Sequence, residues 1–208
     1  MSKNVAIIGQ TGAGISSLVN MLCPDANAPT SPNATRCTKE GKEYLWILED
    51  ECSCQVHDTV GLGEPGRWHF SFKSFKFVRK PDTWQLKLEE YLKKKDLDLL
   101  IYCIPGDRGL LKKSHGQNYG KVKSMMGSVP LVVVVTHLEK FKDPLDGWWS
   151  TNLSILRNVG IPETTKHACV TTLPKKDLEN GDLYDNSREG LETLIRGILW
   201  PSTGHRRR

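Results

Sequence analysis

Gly9-Gln10-Thr11-Gly12-Ala13-Gly14-Ile15-Ser16-Ser17 decides how the rest of the chain is read. A strand-like apolar run at residues 3–9 leads into it, and a helical run at residues 15–22 leaves it. Three glycines in six positions let the backbone turn tightly and aim its N–H groups inward, which is how a loop cradles phosphate. The helix that follows adds the positive end of its dipole to the same place. The pattern G-x-x-x-x-G-K-[ST] is met everywhere except at its lysine, where Ile15 stands. Ser16 falls where a hydroxyl would ligate Mg²⁺ beside terminal phosphates.

Outward from the loop, apolar runs alternate with amphipathic ones, the pattern of a parallel sheet covered by helices. Residues 44–48 and 52–57 read as two strands of a hairpin, joined by the acidic turn Glu49-Asp50-Glu51. Residues 26–38 and 61–66 read as loops. Helices are expected over 83–95, 110–126, 145–158 and 187–199, and strands over 97–104, 131–135 and 167–171. The expected fold class is α/β, a mostly parallel six-stranded sheet with one antiparallel strand and helices on both faces. Residues 1–200 form one domain in this reading, and 201–208 a basic tail.

Composition bounds the function classes. The chain has 208 residues, 38% hydrophobic and 25% charged, which suits one soluble domain with a sizeable core. Its longest apolar run, residues 99–104, is far short of the roughly 20 residues that span a bilayer. Met-Ser-Lys-Asn runs straight into a strand, unlike a signal peptide, and a cytoplasmic location is expected. The six cysteines lack zinc-ligand spacing and read as reduced thiols. The net charge of +5 is mild, partly in Lys93–Lys95 and partly in Arg206–Arg208, and makes a nucleic-acid partner an unfavoured expectation.

With strand before, helix after and Ser16-Ser17 in place, residues 9–20 resemble the P-loop GTPases, most closely the septin-like, immunity-associated and chloroplast-import branches. The resemblance extends over about residues 3–199 and implies a Ras-like G domain that binds GTP or GDP with Mg²⁺. It implies that Gln10, Thr11, Gly12, Ala13, Gly14, Ile15, Ser16 and Ser17 surround the phosphates. Asp58-Thr59-Val60-Gly61 matches D-x-x-G, in which Asp58 holds Mg²⁺ through water and the Gly61 amide meets the γ-phosphate. Thr136-His137-Leu138-Glu139 takes the place of the base-reading [NT]-K-x-D. There the Glu139 carboxylate would accept from guanine N1 and N2, and the His137 ring would stack on the base. Thr171 and Thr172 fill the slot of the loop whose backbone amide meets the guanine carbonyl. Switch one should supply a threonine to Mg²⁺, either Thr35 or Thr38, with Thr38 favoured because it lies nearer the next strand. Arg36, Lys39 and Arg67 are the cations that could reach the phosphates.

Two departures bear on mechanism. Ile15 offers neither the donor nor the charge of the family's lysine. Leu62 stands where Ras-like members orient water with glutamine, so hydrolysis should be slow or assisted by a partner. Both also suit a catalytically inactive GTPase that serves as an interaction module. An ATP-using P-loop kinase is disfavoured, because Glu139 is an acidic reader of guanine. From Phe70 to Lys80, four phenylalanines alternate with four basic residues, beside the second switch. That segment reads either as an edge of the core or as a surface for a homodimer or effector.

Overall fold

The computed structural model describes residues 2–30, 42–48, 52–59, 62, 68–71, 76–79, 83–107, 109, 111–142 and 144–201, with backbone alone at 68–71, 76–79 and 83–87. In chain order the elements are β1 (Ser2–Gly9), α1 (Ile15–Leu22), β2 (Lys42–Ile47), β3 (Ser53–Asp58), β4 (Trp68–Ser71), β5 (Lys76–Arg79) and α2 (Thr83–Lys93). They continue with β6 (Leu99–Pro105), α3 (Lys113–Met126), β7 (Leu131–Thr136), α4 (Gly147–Thr151), α5 (Leu153–Val159), β8 (His167–Cys169) and α6 (Asp182–Leu199).

Six strands form one sheet in the order β2-β3-β1-β6-β7-β8. Only β2 runs antiparallel in this sheet, since the five residues 48–52 between it and β3 are too few for a parallel crossover. The remaining neighbours pair in parallel and reach each other through helices. The apolar runs of β1, β6 and β7 are continuous because both of their faces are covered. Alternate residues of each strand serve opposite faces. Val5 and Ile7 join Leu18 and Val19 of α1 and Leu191 and Ile195 of α6 in one core. Ala6 and Ile8 join Leu92 of α2, Val122 of α3, Trp148 of α4 and Leu156 of α5 in the other. This is the Ras-like α/β arrangement expected of the sequence.

Most element bounds shift by a few residues from the sequence reading, and three differences are larger. The helix expected over 145–158 is broken at Asn152, whose side chain turns back to the Trp148 carbonyl at 2.7 Å. α6 begins at Asp182, five residues before 187, with Asp182 and Asp185 in a first turn where negative charge suits the helix dipole. The segment after the second switch contains a two-stranded hairpin of its own, β4 with β5, in the register Phe70 to Phe77. No described helix is long and apolar enough to cross a membrane.

Candidate functional site

The candidate residues gather at one edge of the sheet because the strands are parallel and in register. Ile7 lies beside Asp58, Gly9 beside Cys103, Pro105 beside Thr136 and Val135 beside Cys169. Gly9, Asp58, Thr136 and the residues after Cys169 therefore end neighbouring strands at their carboxyl edge, where open α/β sheets bind ligands.

The glycine loop owes its path to backbone requirements. A Cβ on Gly9 would sit 2.8 Å from the Cys103 carbonyl oxygen, so only glycine lets β1 end this close to β6. Gly12 and Gly14 adopt φ of +84° and +77°, the left-handed region that other residues avoid. The loop is closed by the Ala13 N–H donating to the Gln10 carbonyl at 2.9 Å. Gly14 caps α1 with no side-chain hydrogen bond, and the first turn of α1 carries no acidic residue. The positive end of the helix is thus left to an anion from outside the helix.

Ser16 Oγ lies 3.3 Å from Asp58 Oδ2, so α1 and β3 bring a hydroxyl and a carboxylate together beside the loop. Both are hard oxygen donors, the ligand chemistry of Mg²⁺. Asp58 is wholly buried. Its charge reaches its neighbours: burial first, and then the Asp58 carboxylate, hold the Tyr44 phenol and the Cys103 thiol above their ordinary pKa values.

Thr136 holds the loop from the other side. Its Oγ1 donates to the Ala13 carbonyl at 3.0 Å and lies 3.2 Å from the Ile104 carbonyl. His137 then takes φ +60°, a left-handed conformation uncommon for residues other than glycine. Next to it, Leu138 is buried tightly against Gly106. At this strand end His137 Nδ1 and Glu139 Oε2 are both buried, with no hydrogen-bond partner among the described residues. Asn118 of α3 and Asn152 between α4 and α5 also bury atoms without a partner among the described residues, so it is position at the sheet edge that distinguishes His137 and Glu139. An unpaired buried atom costs about 1–3 kcal/mol, and the Glu139 carboxylate fits a ligand that brings donors. The Thr171 N–H donates to Ser187 Oγ at 3.2 Å, which in turn donates to the Leu183 carbonyl at 2.7 Å. Thr171 and Thr172 are both buried.

The two departures find explanations in packing. Ile15 is 8% exposed and belongs to the core under α1 and α6, whereas Leu62 is 2% exposed and belongs to the opposite core. Neither side chain presents a polar group to the loop. Thr35, Arg36, Thr38, Lys39, Gly61, Arg67 and the tail 202–208 lie outside the described residues. Among the described residues no cluster of His, Cys, Asp or Glu could by itself hold a metal ion. A single acidic Mg²⁺ ligand, Asp58, is consistent with that, since Mg²⁺ commonly takes one or two carboxylates and substrate phosphates.

Sequence reading placed Gln10 in the loop but missed its partner Ser114, and it missed the supporting roles of Asn20 and Ser187. Gln10 Nε2 donates to Ser114 Oγ of α3 at 2.8 Å. Asn20 clasps Ala28 at both ends, accepting from its N–H at 2.6 Å and donating to its carbonyl at 2.9 Å. Ser187 receives the Thr171 amide. No local pattern could have found them, since each partner lies on another element or loop.

Fold, loop and strand-end placement together define a P-loop GTPase G domain. The sequence matches the family model described as 50S ribosome-binding GTPase over residues 4–137, and the chain belongs to that family. No match was found among curated protein sequences. Among solved structures, Era in complex with MgGDPNP and a 16S ribosomal RNA segment is similar at 20% identity and a TM-score of 0.64, with 95% of this chain covered. This chain spans only 56% of that Era chain, and likewise 56% of Era from Aquifex aeolicus bound to GDP and AlF4⁻. Toc33 from Arabidopsis thaliana, in complex with GDP and Mg²⁺, is similar at 17% identity and a TM-score of 0.66, covering 97% of this chain and 85% of its own. These likenesses are of fold.

Proposed function

We propose that this chain binds guanine nucleotide with Mg²⁺ and hydrolyses GTP slowly, with assistance from a second copy or another partner. The observation that carries the reading is the buried, unpartnered Glu139 Oε2 at the end of β7, on the same sheet edge as the Ser16–Asp58 pair. A guanine edge offers two adjacent N–H donors, N1 and N2, to this carboxylate, and an adenine edge cannot offer that pattern. Ser16 and Asp58 would hold Mg²⁺, with Thr38 the proposed third ligand. Bound there, Mg²⁺ would supply positive charge to the terminal phosphates. The loop amides of residues 12–17 and the N-terminus of α1 would orient the phosphates and neutralise part of their charge. The Gly61 amide and Arg36 are the proposed groups facing the γ-phosphate.

Slow turnover follows from what the buried side chains cannot do. Leu62 has no group to orient water, and Ile15 no cation to offset charge that develops on phosphate. Dimer assistance is supported by a structural relative at 16% identity and a TM-score of 0.69, from work on the chloroplast translocon components atToc33 and psToc159 that found dimerization important for their GTPase activity. Here the switch region and the segment from Phe70 to Lys80 would be the contact. Era was solved with ribosomal RNA, which makes RNA the rival partner to test against a homodimer. The burial of both Ile15 and Leu62 favours one second reading, a nucleotide-binding interaction module without turnover.

Calorimetry with GTP, GDP and ATP, each with Mg²⁺, tests the proposal. Guanine nucleotides should bind and ATP should not. Absence of guanine-nucleotide binding at millimolar concentration overturns it. Single-turnover hydrolysis at rising protein concentration then separates the readings. A rate that climbs with concentration supports dimer assistance, and no phosphate release at any concentration supports the module.

A further inference from the structure

β2 is an outer strand of the six-stranded sheet, and its six residues make it longer than β8, the three-residue strand at the opposite edge. Natural sheets guard such edges with charge, proline or a bulge, because unpaired N–H and C=O groups invite another strand. Here Leu45 is 57% exposed and Ile47 72%, and they are the two large apolar side chains exposed among the described residues. The ladder with β3 tells which backbone groups face outward. The Leu48 N–H donates to the Cys52 carbonyl at 2.9 Å, and bonded and non-bonded pairs alternate along an antiparallel ladder. Residues 42, 44, 46 and 48 therefore bond to β3, while Glu43, Leu45 and Ile47 turn their N–H and C=O groups to the free edge.

The other face of the strand borders a groove of about 380 Å³ between β2 and α6, lined in part by Trp46, Leu48 and Glu189. Arg188 in the same groove is paired with Glu192, and Arg196 makes contacts of its own. Glu189 is exposed, as is Lys42 at the start of β2, and neither has an ion-pair partner among the described residues.

We propose that two copies of this chain join their sheets at β2, antiparallel and with Leu45 on the two-fold axis. The contact is distinct from the segment Phe70 to Lys80 and does not rest on the nucleotide reading. In this register Leu45 lies opposite its own copy, Glu43 opposite Ile47, Tyr44 opposite Trp46 and Lys42 opposite Leu48. Every outward N–H and C=O of residues 43, 45 and 47 then meets a partner, which centring on Tyr44 or Trp46 would not achieve within the strand. Leu45 and Ile47 of both copies form one apolar strip across the seam. On the other face, Lys42 of each copy arrives beside Leu48 of the other, where Glu189 lines the groove. An unrelated strand would match the backbone alone, whereas a second copy matches the apolar strip and supplies the cation as well. One strand pair is a small contact, so the dimer is weak and exchanges with monomer.

Sedimentation equilibrium of the full chain without nucleotide, from micromolar to submillimolar concentration, should show a monomer–dimer equilibrium. Leu45→Lys sets like charges opposite each other at the axis and should weaken association about tenfold or more. Leu45 is exposed and tolerates lysine, and a thermal melt of each variant checks that it is folded. Lys42→Glu and Glu189→Lys should each weaken association roughly 3–10-fold, and the two together should restore it. A chain that stays monomeric throughout overturns the proposal and leaves the edge to a strand of another protein. A dimer that Leu45→Lys leaves equally tight overturns it by placing the contact elsewhere, and so does a double exchange that restores nothing.

Discussion

The two ends of the candidate site have been treated differently. At the phosphate end, Ile15 and Leu62 are drawn into the two cores, and Ser16 and Asp58 bring a hydroxyl and a carboxylate together beside the loop. At the other end, His137 Nδ1 and Glu139 Oε2 are buried with no partner among the described residues, and His137 has φ +60°. One end places apolar side chains where a phosphate would use polar ones, and the other buries polar atoms that a ligand's donors would offset. Under the nucleotide reading proposed above, the contrast predicts that recognition of the base contributes more of the binding free energy than the phosphate end does.

The largest expected effect is therefore at the base. Glu139→Ala removes two charge-assisted hydrogen bonds, each worth about 1.5–3 kcal/mol, so guanine-nucleotide affinity should fall on the order of 100-fold or more. Calorimetry reads it directly, and a fall below fivefold would break the comparison. Next comes Ile15→Lys, which restores a donor and a charge at the poorer end. GTP affinity should rise roughly 10–150-fold, from one charge-assisted bond. An unchanged affinity would mean that another cation already faces the terminal phosphate, and that the phosphate end is not the weaker half.

Much of this contrast is legible in the sequence, and the limits of legibility are physical. The order of strands and the loop can be read because apolar runs and glycines act locally. Ile15 and Leu62 announce themselves as departures because they stand in a fixed spacing. Their burial in opposite cores cannot be read, since it depends on helices that pack from opposite sides of the sheet. The break at Asn152 is hidden because Trp148, Trp149, Leu153 and Leu156 keep an unbroken apolar spacing across it. The early start of α6 is hidden because Asp182 and Asp185 look like loop residues until their place in the first turn is known. Supporting contacts such as Gln10 with Ser114 arise only when distant elements meet.

Thr136 stands between the two ends and sharpens the comparison at a smaller scale. Its hydroxyl serves the carbonyls of Ala13, in the phosphate loop, and Ile104, at the end of β6. Thr136→Val keeps the shape and removes the donor, leaving a buried carbonyl unmet. Unfolding free energy in urea should fall by about 1–3 kcal/mol. If the hydroxyl also aligns the loop with the reader, affinities for GDP and GTP should fall together. A loss confined to GTP would place its role at the phosphate end alone.

The smallest effect concerns α3, the helix whose first turn meets the loop through Ser114. His115 is 4% exposed, and burial holds its pKa below the ordinary 6.5, against the opposing pull of its bond to the Lys112 carbonyl. The same Nδ1 lies 3.0 Å from the Lys112 nitrogen, and in the tautomer that leaves Nδ1 unprotonated it accepts the Lys112 N–H at the helix start instead. Above pH 6.5 the imidazole is neutral in both folded and unfolded chains, and it contributes no pH dependence. Below that value the unfolded chain takes up a proton that the folded chain resists, so stability falls as pH falls through the range beneath 6.5. His57, whose pKa burial also lowers, acts in the same direction. Urea unfolding at pH 7.0 and pH 5.5 should therefore show a loss for the wild type and a smaller loss for His115→Gln. An equal loss in both would assign the acid sensitivity to groups outside α3, and would remove His115 as a reason for the first turn to stay closed beside the loop.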